Sequence, residues 1–375
     1  MYEHEMNKSL YSKDLKPAFS SYKKAIVFES SELFVPYLHV VLLSLLDHVC
    51  HGNKYDIIIL THEIDIHDCE NLIQLVSKFD NVRLRFFDPT GIVESYIKKS
   101  RYKYLDINYY RMALPWILSE YEIVLNLGAD IVINKDVNLL LECEEVKNRY
   151  LAGVTDLGYL GRLNLDIPIK ELDLSAPEGY VNADVLVINL KKIRQDFSKE
   201  TVMNIWQKYR FRCAEQDAFN VLFDGKIHYL NLRWNLFPER MSSVEHIMLN
   251  KPERIKQWRE ALKEPFIIHY AAYPKPWDYP NVGFGNVWWQ YARKSVYYEE
   301  IVRRMCLASV KSEYFRKQIW IRRWGDVFFP RGTKRRKVLN LIFPKQSKQR
   351  ELVKKIYYTF FSNPNKEWNK KFGKY

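Results

Sequence analysis

The chain has 375 residues, 47% hydrophobic and 15% aromatic, which excludes a chain without a core and allows one large α/β domain with appendages or two modest domains. Its net charge of +13 sits at one end: residues 311–375 hold 19 Lys and Arg against 4 acidic residues, leaving 39 basic and 41 acidic in the first 310. A neutral body lacks the positive field of a nucleic-acid binder, so no nucleic-acid partner is expected, and what remains to ask is where a basic tail docks.

The charged opening "MYEHEMNKSLYSKDLKPAFS" has no apolar segment of signal-peptide type. Residues 1–22 read as an extension. "KKAIVFES" (23–30) predicts a first strand and "PYLHVVLLSLLDHVC" a helix; the apolar run 33–46 is too short to span a bilayer and contains Pro36 and His39. "KYDIIILTHE" predicts a second strand, "CENLIQLVSKF" a helix, "NVRLRFFDP" a third strand and "NYYRMALPWILSE" a further helix. "YEIVLNLGAD" closes this series, and strand–helix alternation at these lengths predicts βαβ units on a mostly parallel sheet. "YVNADVLVINLKKIR" (180–194) reads as strand then helix, "KIHYLNLRWN" as a strand and "PFIIHYA" as a short last strand. From about Asn281 the pattern turns helical through "VWWQYARKSVYYEEIVRRMCLA", so the body is expected over 23–300 and a tail over 301–375. The tail should form helical pieces punctuated by Pro330, Pro344 and Pro364, with Leu352, Val353, Ile356, Tyr357 and Phe360 on one face of the last. The five cysteines are far apart, and none adjoins a clustered histidine. This fits neither a disulfide framework nor a zinc site and suits a reducing compartment. A soluble or peripheral cytoplasmic protein is expected.

In "LNLGADIVIN" a buried run pauses at Gly128-Ala129-Asp130. A carboxylate at the carboxyl end of a strand in an α/β sheet is where ligands and metals are met. Taken alone, Asp130 could equally cap a strand end, His269 could be a satisfied strand histidine, and "EQD" (215–217) a solvated acidic patch. Arg111 alone would be a helix-surface charge.

Together, "NYYRMALPWIL", "NLGADIVI", "YVNADVLVINL", "EQDAFNVLF" and "IIHYAAYPKPW" resemble, in this order, glycosyltransferase family 8 over roughly residues 23–300. The nearest look is to bacterial transferases that build lipooligosaccharide, lipopolysaccharide or other surface glycans. The resemblance implies a GT-A fold, with a Rossmann-like, mostly parallel central sheet flanked by helices. It implies retaining transfer of glucose or galactose from a UDP-hexose to a glycan or glycolipid acceptor. It also implies a divalent metal, Mn2+ or Mg2+, which acts as a Lewis acid toward the diphosphate leaving group.

The family's metal ligands are the two aspartates of an Asp-x-Asp motif and a distant histidine. Asp130 matches the second aspartate and His269 the histidine, while Gly128 stands in place of the first aspartate. The gap at Gly128 is open to water or to the carboxylate of Asp184, and Gly128→Asp is expected to tighten the metal if the backbone there has ordinary dihedrals. Lys275 matches a lysine facing the diphosphate, and Arg111 an arginine bracing the metal-site carboxylates and donor sugar. Gln216 matches a glutamine on the β face of the donor sugar, suited to a front-face mechanism. Asp217 would grip sugar hydroxyls or hold Gln216 in place, and Glu215 occupies a position usually taken by aspartate. Asn182 and Ala183 match an Asn-Ala-Gly pattern in which Asp184 replaces the glycine. Ser31 replaces an aspartate that reads the uracil, and Ala272 replaces a glycine. These departures keep a second reading open, a catalytically impaired transferase-like chain that partners another transferase. The basic tail, with Trp320, Trp324 and Trp368 among its cations, is expected to bind an anionic membrane surface, on the inner face of the cell membrane.

Overall fold

Apolar runs without polar alternation build the centre of this protein. The computed structural model describes residues 10–12, 15–99, 106–157, 172–209, 211, 213–238, 252–271 and 274–307. The expected helical pieces of the tail, and Ala272, lie outside the described residues.

The strands are β1 (Lys24–Glu29), β2 (Tyr55–Leu60), β3 (Val82–Phe87), β4 (Ile123–Leu127), β5 (Ile131–Ile133), β6 (Leu151–Thr155), β7 (Val181–Asn189), β8 (Ile227–Tyr229) and β9 (Ile267–His269). Seven form one sheet in the order β3-β2-β1-β4-β7-β6-β8. All neighbours pair in parallel except at β7, which runs antiparallel to both β4 and β6. β5 and β9 form a separate two-stranded antiparallel sheet.

The main helices are α1 (Val35–Leu46), α2 (Ile66–Val76), α3 (Thr90–Lys99), α4 (Asp106–Ile117), α5 (Leu190–Asp196), α6 (Ala214–Leu222), α7 (Pro252–Lys263) and α8 (Gly285–Ala292). Because side chains alternate along a strand, Ile26, Phe28, Ile57 and Ile59 face α1 and α2, whereas Val27, Ile58 and Leu60 face α4 and α6. Both faces of β1 and β2 are therefore covered, which is why 25–28 and 57–60 are unbroken apolar runs; the buried Asp56 at the start of β2 is paired with Arg85 at 2.8 Å. Burying each branched aliphatic contributes about 1.5–3 kcal/mol. β3, at the sheet edge, buries alternate residues and turns Arg83 outward.

The expected α/β architecture with its mostly parallel sheet is present, and several local elements differ from expectation. "KIHYLNLRWN" is strand only at Ile227–Tyr229; the Asn231 side chain then accepts from the Arg233 amide and starts a tight turn over Leu232–Asn235. The helix expected from 287 breaks after Ala292, where Ser295 Oγ accepts from the Tyr297 amide at 3.1 Å, and resumes over 298–307. Helices α3 and α7 and strand β6 were not expected from the sequence. Gly91 and Gly153 interrupt two of these patterns, and α7 buries only Trp258 and Ala261 in a highly charged stretch. Among the described residues, no helix is long and apolar enough to cross a membrane.

Candidate active site

The chain leaves the main sheet at Leu127, crosses Gly128-Ala129-Asp130 and enters β5. β5 pairs with β9 so that Ile131 lies opposite His269, and the Tyr270 amide donates to the Asp130 carbonyl at 3.0 Å. This register joins two residues that are remote in sequence. His269 Nε2 lies 3.4 Å from Asp130 Oδ1 and 3.5 Å from Asp184 Oδ2. Lys275 Nζ donates to Asp130 Oδ2 and, at 2.6 Å, to the Tyr270 carbonyl. Burial by itself would raise the Asp130 carboxyl, but His269 and Lys275 outweigh it and hold the group below the usual carboxylate range.

His269 is almost wholly buried, and the hydrogen-bond pattern sets its tautomer. Asn235 Nδ2 donates to Asn182 Oδ1 at 2.9 Å, so Asn235 Oδ1 is left to accept from His269 Nδ1 at 2.8 Å. Nε2 is the ring nitrogen left to face the two carboxylate oxygens. Asp130, Asp184 and His269 converge there with ligand atoms within 4.8 Å of one another, a set of two hard oxygens and an imidazole suited to a divalent cation.

The same chain of amides reaches Gln216 at the start of α6. Asn182 Nδ2 and the Ala183 amide both donate to Gln216 Oε1 at 3.0 Å, and Gln216 Nε2 donates to Asp156 at 3.0 Å. Asp217 is buried: it accepts from the Tyr180 hydroxyl at 2.5 Å and from the Cys213 amide at 2.8 Å. This placement braces the start of the helix that carries Gln216.

Arg111, on α4, lies behind the cluster. It donates to Glu29 at 3.1 Å, Glu215 at 3.1 Å, Asp184 at 3.4 Å and the Ala183 carbonyl at 3.0 Å. Glu215 therefore turns inward to Arg111. Burial pushes its carboxyl up to about 7 against the pull of Arg111, with Asp184 adding to the rise. Burial also raises Glu29, opposed by Arg111 and Asn126. Four carboxyl groups (Glu29, Asp130, Asp184, Glu215) gather around two fixed cations, Arg111 and Lys275; burial favours the neutral forms of Glu29 and Glu215 behind the site, which leaves Asp130 and Asp184 as the carboxylates that face His269.

Asp130, His269, Lys275, Arg111, Asn182, Ala183, Asp184, Glu215 and Gln216 thus form one connected group. Ser31 stands just past the end of β1 and its hydroxyl does not cap the turn that follows; Ala129 is half-buried beside Asp130. Gly128 has no left-handed φ, as expected for an ordinary strand end. The space around it differs from that expectation: a Cβ would meet Asp184 Cβ at 3.0 Å, so Gly128→Asp alone crowds an existing carboxylate. Glu29, Asn126, Asp156 and Asn235 also belong to this group and were not expected from the sequence. Glu29 and Asn126 carried the signal that singled out Asp130, a polar residue inside a buried strand run. All five cysteines are free, but the fold does bring Cys143 against Glu145 and His228, a cluster that spacing did not foretell. Burial raises the Cys143 thiol and Glu145 reinforces this, away from the thiolate that zinc requires.

A mostly parallel sheet with one reversed strand has acids, a histidine and a lysine gathered beyond the carboxyl end of β4, where open α/β sheets bind ligands, and the fold is of the GT-A class. Residues 25–280 match the sequence model of Glycosyl transferase family 8, and the chain belongs to that family and is a glycosyltransferase. It is 22% identical over 263 residues to General stress protein A of Bacillus subtilis, covering 68% of this chain and 87% of that one. It is 24% identical over 270 residues to a putative glycosyltransferase of Haemophilus influenzae, covering 70% and 76%. Among solved structures it is similar to the apo form of the WbbM bifunctional glycosyltransferase, with a TM-score of 0.71 and 23% identity. That match covers 78% of this chain and about half, 53%, of the other. The galactosyltransferase LgtC, solved with donor and acceptor sugar analogs, matches with a TM-score of 0.56 and 19% identity over 72% of this chain and 96% of its own.

Proposed function

We propose that the chain is a retaining hexosyltransferase that transfers glucose or galactose from a UDP-hexose to a cell-surface glycan acceptor, such as a lipooligosaccharide, a lipopolysaccharide, a capsule or a glycoprotein glycan. The observation that carries the reading is the hydrogen-bonded chain from Gln216 through Asn182 and Asn235 to His269, which ties the Gln216 amide to the imidazole beside Asp130. Asp130 and His269 would hold the divalent cation, manganese or magnesium. When bound, the cation supplies Lewis-acid charge to the diphosphate leaving group. Lys275 adds a positive charge beside Asp130, positioned to meet a phosphate oxygen. Ser31, Gly128, Ala129, Asn182, Ala183 and Asp184 line the donor's approach at the strand ends. Gln216 stabilises the electron-poor anomeric carbon on the face from which the acceptor attacks; a neutral amide is a poor nucleophile, which favours same-face transfer over a covalent intermediate. Arg111, Glu215 and Asp217 position these groups from behind.

The basic tail would hold the enzyme on the anionic inner face of the cell membrane, beside a lipid-carried acceptor. The alternative of an impaired partner protein rests on the departures at Ser31, Gly128, Asp184 and Ala272; at Gly128 the missing carboxylate has a neighbour of the same chemistry in Asp184. Calorimetric titration with UDP and manganese tests the proposal. The wild-type chain should bind UDP in a metal-dependent way, and Asp130→Asn and His269→Ala should each abolish that dependence without unfolding the protein. Unchanged manganese affinity in both variants would refute it.

A further inference from the structure

We infer that Asp184 on β7 supplies the carboxylate that position 128 on β4 lacks, so that the cation is held by Asp130, Asp184 and His269. The inference rests on the proposal above that a divalent cation is bound, and it assigns one ligand to a new strand.

Positions 128 and 184 face each other. Leu127 pairs with Val185 across the antiparallel β4–β7 ladder, and the Gly128 amide donates to the Asp184 carbonyl at 2.9 Å. A Cβ built on Gly128 would lie 3.0 Å from Asp184 Cβ, 3.1 Å from its Cγ and 3.1 Å from Asp130 Oδ1. The Asp184 side chain therefore fills the volume that a side chain at 128 would take. A side chain at 128 would press on the Asp184 carboxylate, and glycine there leaves that carboxylate its place on β7.

Its oxygen lies where a ligand is needed. Asp184 Oδ2 and Asp130 Oδ1 stand 3.5 and 3.4 Å from the same His269 Nε2. Ligand atoms about 2.1 Å from an ion at octahedral or tetrahedral angles are themselves about 3.0–3.5 Å apart. The buried imidazole fixes the direction of the site: with Nδ1 committed to Asn235, Nε2 is the nitrogen turned toward both carboxylates. Arg111 holds Asp184 Oδ1 at 3.4 Å and so leaves Oδ2 turned toward the histidine, as groups behind a metal site orient its ligands. Asp184 is 32% exposed, which leaves this side open to a substrate.

The test is manganese binding to the full chain, read by calorimetry and by the electron paramagnetic resonance of free Mn2+, with no turnover required. Asp184→Asn should weaken manganese by about 10-fold or more, since even groups behind the ligands cost 10–100-fold when removed. Gly128→Asp alone should bring no gain, because it crowds Asp184. The double variant Gly128→Asp/Asp184→Gly should recover most of the lost affinity. A purely structural role for Asp184 would not be rescued by a carboxylate from the opposite strand, and thermal unfolding of each variant is recorded beside the titrations. Asp130→Asn is the control. If Asp184→Asn binds manganese like the wild type while Asp130→Asn does not, the assignment of Asp184 is overturned and the metal-dependent transferase stands. If both variants bind like the wild type, both readings fall.

Discussion

Replacing Arg111 by methionine keeps most of the side-chain volume and removes a charge that three carboxylates share. Arg111 is 6% exposed, and Glu29, at 1%, and Glu215, at 14%, are buried with it. At about 4 Å and an effective dielectric of 20 each such pair is worth about 4 kcal/mol, an attraction offset by the desolvation of the guanidinium. Breaking a buried pair by removing one partner costs about 3–5 kcal/mol, a large share of the 5–15 kcal/mol typical of a folded domain. The sign of the pH dependence follows from Glu215, whose folded value of about 7 already exceeds the ordinary 4.5. Arg111 is a lowering influence on it, so the variant's folded-state value rises further. A carboxyl raised in the folded state contributes stability below its unfolded value and loses it as pH rises through the folded one. The loss in Arg111→Met should therefore be about 3–5 kcal/mol at pH 8 and smaller by about 1–2 kcal/mol at pH 5. Urea denaturation of wild type and variant at both pH values measures this. An equal loss at the two pH values would refute the argument that uncompensated buried carboxylates are the cause.

Gln216→Ala should lower kcat by about 10²–10³-fold while UDP-sugar affinity changes little, because the proposed contact strengthens only as the sugar–phosphate bond breaks; equal losses in both would assign Gln216 to donor binding. Burial pushes His39 down to about 4 from 6.5, beside Ser295 Oγ at 3.1 Å. Its contribution, about 3 kcal/mol, is complete above pH 6.5 and is lost as pH falls through 4, so His39→Gln should flatten the acid limb of the stability curve measured by thermal unfolding. The full chain should sediment with anionic vesicles, less so at high salt, and a chain ending at Ser312 should not; with each cation near the surface worth about 1 kcal/mol, identical behaviour of the two would exclude the tail as an anchor.

Local pattern alone determined the parallel half of this protein. The runs at 25–28, 57–60 and 123–125 are apolar without alternation because both faces of their strands are covered, and that cause acts on each residue where it stands. The pause at Gly128-Ala129-Asp130 was legible for the same reason, since a polar residue costs free energy inside such a run unless something binds it. Spacing could not show which partners meet. Asp130 and His269 come together through a two-stranded sheet of three residues each, too short to leave a periodic signature. Whether Asp184 obstructs the gap at Gly128 or fills it depends on the β4–β7 register, a contact between strands distant along the chain. Glu215 likewise reads as a solvated acid until α4 delivers Arg111 beneath it. Burial on one strand or helix is written locally; ligand geometry is a product of several elements at once, and only their packing decided it.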